Sequence, residues 1–474
     1  MTPLLAVLLL AAPAPPPDPP TAGPAEVPAP GPVVDERTEA FERFVGHFKA
    51  GQYYEALPFA KRVVELTEAM ADRDAELPTA YNNLAATHLS LQEYAAAGEY
   101  YGKSLELLEA TQGIASRRLI GPLAGLAAVH VGEDQRGTAA EYYARALAVS
   151  RRADGLFNLE QLPLIDQAAQ NLAALADYDG AEREYRYALK VAEQNFGYGD
   201  VRTLPALQQL ATFYEQRNEY VAARNMYLRA RDATQQEGGG SSPETIRALL
   251  GVARTHRMQL MMNPEVLDAQ QIADEEDRGE ALSREQRKLR SFAPVKDRMG
   301  LAAAQTALEM LRAATDPPAR LLLETQIEIG DWYLTMSRPD IAMTHYEEAA
   351  AIHAAATAEG LPDPLAVPTL IFYRPPLAAI RSASVADERY LVRRTTFEFS
   401  VAIDGHPHSI LVVESDMSEG QLSQSRRALA RALYRPRFEN GKAVASDGVR
   451  FTSEWSELAA PENPPAAPEA AAPG

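Results

Sequence analysis

The chain has 474 residues, 46% of them hydrophobic, so it can bury several cores and is not a wholly disordered protein. Its formal charge of −19 argues against a duplex nucleic-acid binder, which needs a basic surface to neutralise phosphates. It has no cysteine, which excludes disulfides and a bacterial lipoprotein anchor but leaves the compartment open. Leu4 to Ala12 is an apolar run as long as a signal-peptide core and too short to span a bilayer as a helix. With small residues for cleavage at Ala12-Pro13-Ala14, it predicts an export signal over residues 1–14 and a periplasmic or otherwise exported protein. Ten prolines in residues 13–32 favour polyproline II and cannot build a core, so residues 15–36 read as a disordered spacer. No later stretch reaches about 18 consecutive apolar residues, and no transmembrane span is expected.

Alanine then recurs at Ala56, Ala97, Ala139, Ala181 and Ala223, at intervals of 41, 42, 42 and 42 residues. Around each alanine the same positions are apolar. In the second copy Tyr81, Leu84, Ala85 and His88 precede Tyr94, Ala97, Tyr101 and Leu105, two amphipathic helices joined by a turn. Leu123, Leu126, Ala127 and His130 repeat the pattern before Ala139, Tyr143, Ala146 and Leu147. Ile165 to Leu189 and Leu207 to Ala230 repeat it again. Small residues fall where two helices cross closely and large ones where a side chain fills the gap. The pattern resembles the tetratricopeptide repeat family in its longer, kinesin-light-chain-type spacing. Five repeats are expected over residues 37–236, although Arg43 stands where the first copy should have an apolar residue. Degenerate copies follow over 237–356. A helix through Leu249, Leu250 and Gly251 pairs with one from Gly300 through Leu311, across a polar insertion at 264–295, and a last copy has Ile329, Gly330, Trp332, Tyr333, Ala342, Tyr346 and Ala349.

After a linker at 357–385 the period changes from helical to two. Phe397, Phe399, Val401 and Ile403 alternate with polar or small residues, Asp404-Gly405 supplies a turn, and Ser409 to Ser415 carries a second strand. Ser418 to Tyr434 reads as a helix with Leu422, Ala428, Leu429 and Leu433 on its buried face. Asn440-Gly441 is a turn before a last strand, Gly448 to Trp455. The fold class is therefore mainly α: a right-handed α-solenoid followed by a small ββαβ, α+β domain at 386–456, with a disordered Pro/Ala tail at 457–474.

The string from Phe397 through the Asp-Gly turn, Val412-Val413-Glu414-Ser415, a helix, and Pro436, Asn440 and Gly441 resembles the C-terminal domain of the TonB energy-transducer family. That resemblance implies an envelope location and a sheet edge that pairs with a partner's extended segment. It also names a rival role, TonB-related energy transduction. On the residues alone the domain pairs with a partner, self-associates or caps the solenoid.

No HExxH, GxSxG, Walker A or strand-to-helix GxGxxG appears, so no catalytic residue, cofactor or metal is expected, and the chain reads as a non-enzyme. His47, His88 and His130 recur at one repeat position, where helices pack; repeats stand about 10 Å apart, too far for equivalent residues to share a metal. The acidic run Asp274 to Asp277 lacks the spacing of a calcium loop. In the tetratricopeptide family, partners lie on the concave side, and the resemblance carries that role onto Asn82, Ala86, Asp166, Gln170, Gln208, Thr212 and Glu215. These are small, amide or acidic residues, and amides bond an extended backbone through both donor and acceptor. Residues 390–455 carry nine Lys plus Arg against eight Asp plus Glu, a net of +1, so the acidity lies elsewhere. Within them Arg426, Arg427 and Arg431, with Arg435 and Arg437, form the local basic concentration, suited to an anionic partner. The reading is an adaptor for protein or peptide partners. The rival is a structural envelope protein that touches cell-wall glycan or membrane through those arginines.

Overall fold

The computed structural model describes residues 35–236, 241–262, 298–356, 363–376 and 390–458. The expected export signal, nearly all of the spacer, the 264–295 insertion with its acidic run, and most of the C-terminal tail lie outside them. The chain divides into two compact units, residues 1–198 and 199–474.

Among the described residues, unit 1 contains eight α-helices in four antiparallel hairpins: α1 (Glu36–Lys49) with α2 (Tyr53–Glu68), α3 (Leu77–Ser90) with α4 (Tyr94–Gln112), α5 (Ile120–Gly132) with α6 (Arg136–Asp154), and α7 (Leu162–Ala174) with α8 (Tyr178–Phe196). Asp35 caps α1, its carboxylate accepting the Arg37 N–H at 2.8 Å, so the spacer ends one or two residues earlier than expected. Phe44 takes the core position of the first copy, and Arg43 points outward. Each hairpin turn has the same physics. The residue at positive φ is Gly51, Gln92, Asp134 or Ala176, and the next N–H returns to a carbonyl five residues back, as Glu93 does to His88 at 2.9 Å and Asp177 to Leu172 at 3.0 Å. Ala56, Ala97, Ala139 and Ala181 are fully buried just beyond these turns, where any larger side chain would force the hairpin open. Gly125 serves the same end: a Cβ there would sit 2.3 Å from the Tyr101 ring.

Unit 2 opens with α9 (Leu204–Gln216) and α10 (Tyr220–Gln236), then α11 (Pro243–Met262), α12 (Arg298–Ala313), α13 (Ala319–Thr335) and α14 (Pro339–Ala355). As expected, α11 and α12 share one core, with Leu249, Leu250, Leu301 and Leu311 around Trp332. The strands are β1 (Thr369–Phe372), β2 (Tyr390–Val401), β3 (Pro407–Ser415), β4 (Leu433–Arg435), β5 (Arg437–Glu439), β6 (Lys442–Val444) and β7 (Ser446–Leu458), with α15 (Glu419–Ala430) after β3. An antiparallel sheet runs β3-β2-β7, β1 pairs with β4, and β5 with β6. The β5–β6 turn is Asn440-Gly441, both at positive φ, the geometry that dipeptide favours.

Four expectations change here. The 357–385 stretch read as linker contains β1. Ile403 is 57% exposed in the hairpin turn and not a strand residue. The helix stops at Ala430, and Leu433 and Tyr434 enter β4, because both reach cores that a longer helix would miss. Arg435 is not part of a basic surface: its side chain is only 11% exposed and forms a bidentate pair with Asp331 of α13 at 2.8 and 3.0 Å. Tyr346 donates to the same carboxylate at 2.8 Å, Arg257 of α11 stands 3.5 Å from it, and Arg257 also grips Glu328 at 3.0 and 3.1 Å. Burial alone would raise the Asp331 acid, but the two guanidiniums and the phenol hold it below its ordinary value. Leu433, Phe438, Ile371 and Phe372 continue into the core of α13 and α14, so the strands are fixed to the last helical hairpin by packing as well as charge.

Candidate functional site

In unit 1 a groove of about 600 Å³ crosses the starts of α3, α5 and α7. The residues that join each hairpin to the next build it. Gly113 and Gly155, both at positive φ, end α4 and α6, and Ser116 or Asn158 then caps a short 3-10 turn that leads into the following helix. Pro78 and Pro163 occupy first helical turns, where a missing N–H is no loss. Thr79, Asn82, Ser104, Gly121, Ser150 and Pro163 line the groove, with Arg117, Arg118, Asp154 and Glu160 at its rim.

The two arginines differ. Arg117 bridges consecutive loops, donating to Asp154 at 3.0 Å and to Glu160. Arg118 donates from Nη2 to the Ala75 carbonyl at 2.8 Å and Thr79 Oγ1 at 2.9 Å, and makes no ion pair among the described residues. Partial burial lowers its pKa. Below it on α3, Asn82 is 7% exposed and its Oδ1 has no hydrogen-bond partner among the described residues. Beside the groove an apolar side chain follows each loop glycine into solvent: Ile114 is 72% exposed and Leu156 60%, with Phe157 next to it. Gly197-Tyr198 repeats the pattern at the end of the unit, Tyr198 being 77% exposed.

Of the residues expected to bind a partner, the structure brings only Asn82 into this groove. Ala86 is fully buried. Asp166 is buried and accepts from the exposed Gln170 at 2.9 Å; burial raises its acid. In unit 2 Gln208 and Thr212 are exposed, but Glu215 forms a structural pair with Arg254 at 3.1 Å through both oxygens. The expected acidic lining is thus largely spent inside the fold. Arg426 and Arg427 on α15 and Arg431 at its C-cap are exposed, and Arg427 donates to the Ser423 carbonyl at 3.4 Å. The recurrent histidines are packing residues. His47, His88 and His130 stack on Phe59, Tyr100 and Tyr142 at 5.5, 5.8 and 5.4 Å, with Nδ1 against Gln52, Glu93 and Gln135. In the last hairpin the pair is exchanged, Tyr333 standing on α13 and His345 on α14.

The groove loops were missed in the sequence because they lie between the helical positions that define the repeat. Their signal was present: glycine followed by an apolar residue at Ile114, Leu156 and Tyr198, 42 residues apart.

Residues 79–114, the hairpin of α3 and α4, match the tetratricopeptide repeat family model. The chain therefore carries a tetratricopeptide repeat, and the shared turns and alanine register extend that hairpin to its neighbours. Among solved structures, it is similar to the tetratricopeptide-like repeats of a putative kinesin light chain from Podosopora anserina, at 14% identity over 42% of this chain and 95% of that one, with a TM-score of 0.38. BtubC from P. vanneervenii aligns at 17% identity over 66% and 94%, with a TM-score of 0.37. A signal-transduction ATPase with a tetratricopeptide sensor, from Pyrococcus horikoshii, aligns at 13% over 69% and 43%, with a TM-score of 0.46. No curated protein matches the chain. No helix among the described residues is long and apolar enough to cross a membrane.

Proposed function

We propose that the protein is an exported, non-enzymatic adaptor whose unit 1 groove holds an extended segment of a partner protein. The observation that carries this is one groove spanning three consecutive repeat starts, with a cation, Arg118, that has no carboxylate partner among the described residues, beside a buried amide, Asn82, whose acceptor Oδ1 has no donor among them. Hydroxyl and amide side chains suit a peptide backbone, and Arg118 suits a carboxylate on the segment. Export rests on the apolar run Leu4 to Ala12 and the spacer that follows.

The finer reading gives the C-terminal strands a TonB-like role in strand-edge recognition. The Asp404-Gly405 and Asn440-Gly441 turns support it, as does the open edge of β3, where Leu411 and Val413 are exposed. Such an edge accepts an added strand.

The test is selection of random dodecapeptides on the full chain, followed by titration of a selected peptide against Arg118→Ala. Loss of a charge-assisted hydrogen bond worth about 1.5–3 kcal/mol predicts a weakening of tenfold or more. Selected peptides that bind Arg118→Ala as well as the unaltered chain would overturn the groove reading.

A further inference from the structure

We propose that residues 15–34 of this same chain occupy the groove when no partner does, so that the proline-rich segment is a competitor built into the protein. This rests on the groove being a site for an extended segment.

The first observation is where the segment joins the fold. It ends at Asp35, the cap of α1. From there one row of contacts runs along the helix starts: Arg37 pairs with Glu76 just ahead of α3, Arg118 reaches back from the start of α5 to Ala75, and Arg117 reaches forward to Glu160 at the start of α7. The segment joins the fold at the first member of that row, one hairpin before the groove begins.

Length and period agree. Neighbouring hairpins stand about 10 Å apart, so α1 to α7 is roughly 30 Å. Twenty residues of polyproline II extend about 60 Å, enough to pass along the whole row. That helix repeats every three residues, about 9.3 Å, so it offers the same face to each successive hairpin. The loops that lead into the groove's rim carry the exposed Ile114, Leu156 and Phe157, the apolar and aromatic kind on which proline-rich segments dock.

Charge agrees as well. Residues 15–34 contain Asp18 and Glu26 and no lysine or arginine, and Arg118 in the groove has no carboxylate among the described residues. A tethered segment acts at an effective concentration near millimolar, so even weak docking competes with a free partner.

The experiment compares the full chain with a full chain whose residues 15–34 are replaced by a Gly-Ser sequence of equal length. The probe is a fluorescein-labelled peptide of residues 15–34. It should bind the Gly-Ser chain at least tenfold more tightly than the unaltered chain, and Arg118→Ala or Leu156→Ser in the Gly-Ser chain should weaken it. Amide exchange at 113–119 and 155–161 should be slower in the unaltered chain. Equal binding to both chains, or binding indifferent to Arg118→Ala, overturns the proposal. If a selected dodecapeptide binds the Gly-Ser chain through Arg118 while the 15–34 peptide does not, the built-in competitor falls and the groove reading stands. If neither binds, both fall.

Discussion

The groove edge of unit 1 and the strand junction of unit 2 both depend on arginines that reach across hairpins, yet they do opposite things with them. Arg117 is about half exposed and links two loops at the surface, where such pairs contribute about 0–1 kcal/mol and are screened by salt. Arg435 and Arg257 converge on Asp331 in the interior, where removing one partner strands the others and costs about 3–5 kcal/mol. The difference teaches that the same residue type marks an adaptable edge in one unit and a fixed joint in the other. Burial decides between them.

The largest effect should come from breaking the joint. Asp331→Ala leaves the Arg435 guanidinium and the Tyr346 hydroxyl without their carboxylate and leaves Arg257 with Glu328 alone, and denaturant unfolding should show a loss of about 3–5 kcal/mol. Arg117→Ala should lose less than about 1 kcal/mol. Equal losses would erase the distinction. Packing, by contrast, should be alike in the two units. A Cβ at Gly330 would meet the Tyr346 ring at 2.4 Å, as one at Gly125 would meet Tyr101 at 2.3 Å, and both rings are fully buried. Gly330→Ala and Gly125→Ala should each cost about 1–3 kcal/mol in thermal or denaturant unfolding.

Acid should separate the units by sign. The folded Asp331 acid lies below its ordinary value of 3.8, so its contribution is complete above that pH and is lost as pH falls through the folded value. Asp166 lies above 3.8 because it is buried, so its contribution is present below 3.8 and lost as pH rises through the folded value. Asp166→Asn should therefore be more stable than the unaltered chain at pH 7 and equal to it in strong acid, while Asp331→Asn should be less stable at pH 7. Stability measured from pH 7 to 3 checks both, and shifts of the same sign would contradict the contrast. The smallest effect belongs to Leu156→Ser, which should leave stability within about 0.5 kcal/mol because the side chain is largely in water.

Much of the helical register was readable because it is steric and local. Ala97 and Ala139 must be small where hairpins cross, and a 42-residue spacing shows in any alignment of the chain with itself. The junction was not readable. Asp331 and Arg435 are 104 residues apart, and nothing near Arg435 separates a buried ion pair from an exposed basic run. The same limit misled the reading of Glu215, whose partner Arg254 lies 39 residues on. Ala86 failed for another reason: the repeat position assigned to the concave face is, in this hairpin, closed over by its neighbours. For the groove, the helical period carries no information about loops, and the glycine and apolar pairs at Gly113-Ile114 and Gly155-Leu156 needed the backbone to show what they border.

The central claim is that the loop edge of unit 1 receives an extended segment. Amide hydrogen exchange on the full chain with residues 15–34 replaced by Gly-Ser, with and without a selected dodecapeptide, tests it most directly. Protection should rise over residues 75–82, 113–122 and 154–164 and stay unchanged along β3 and α15. Protection confined to β3 or α15, with the three groove segments unchanged, would contradict it.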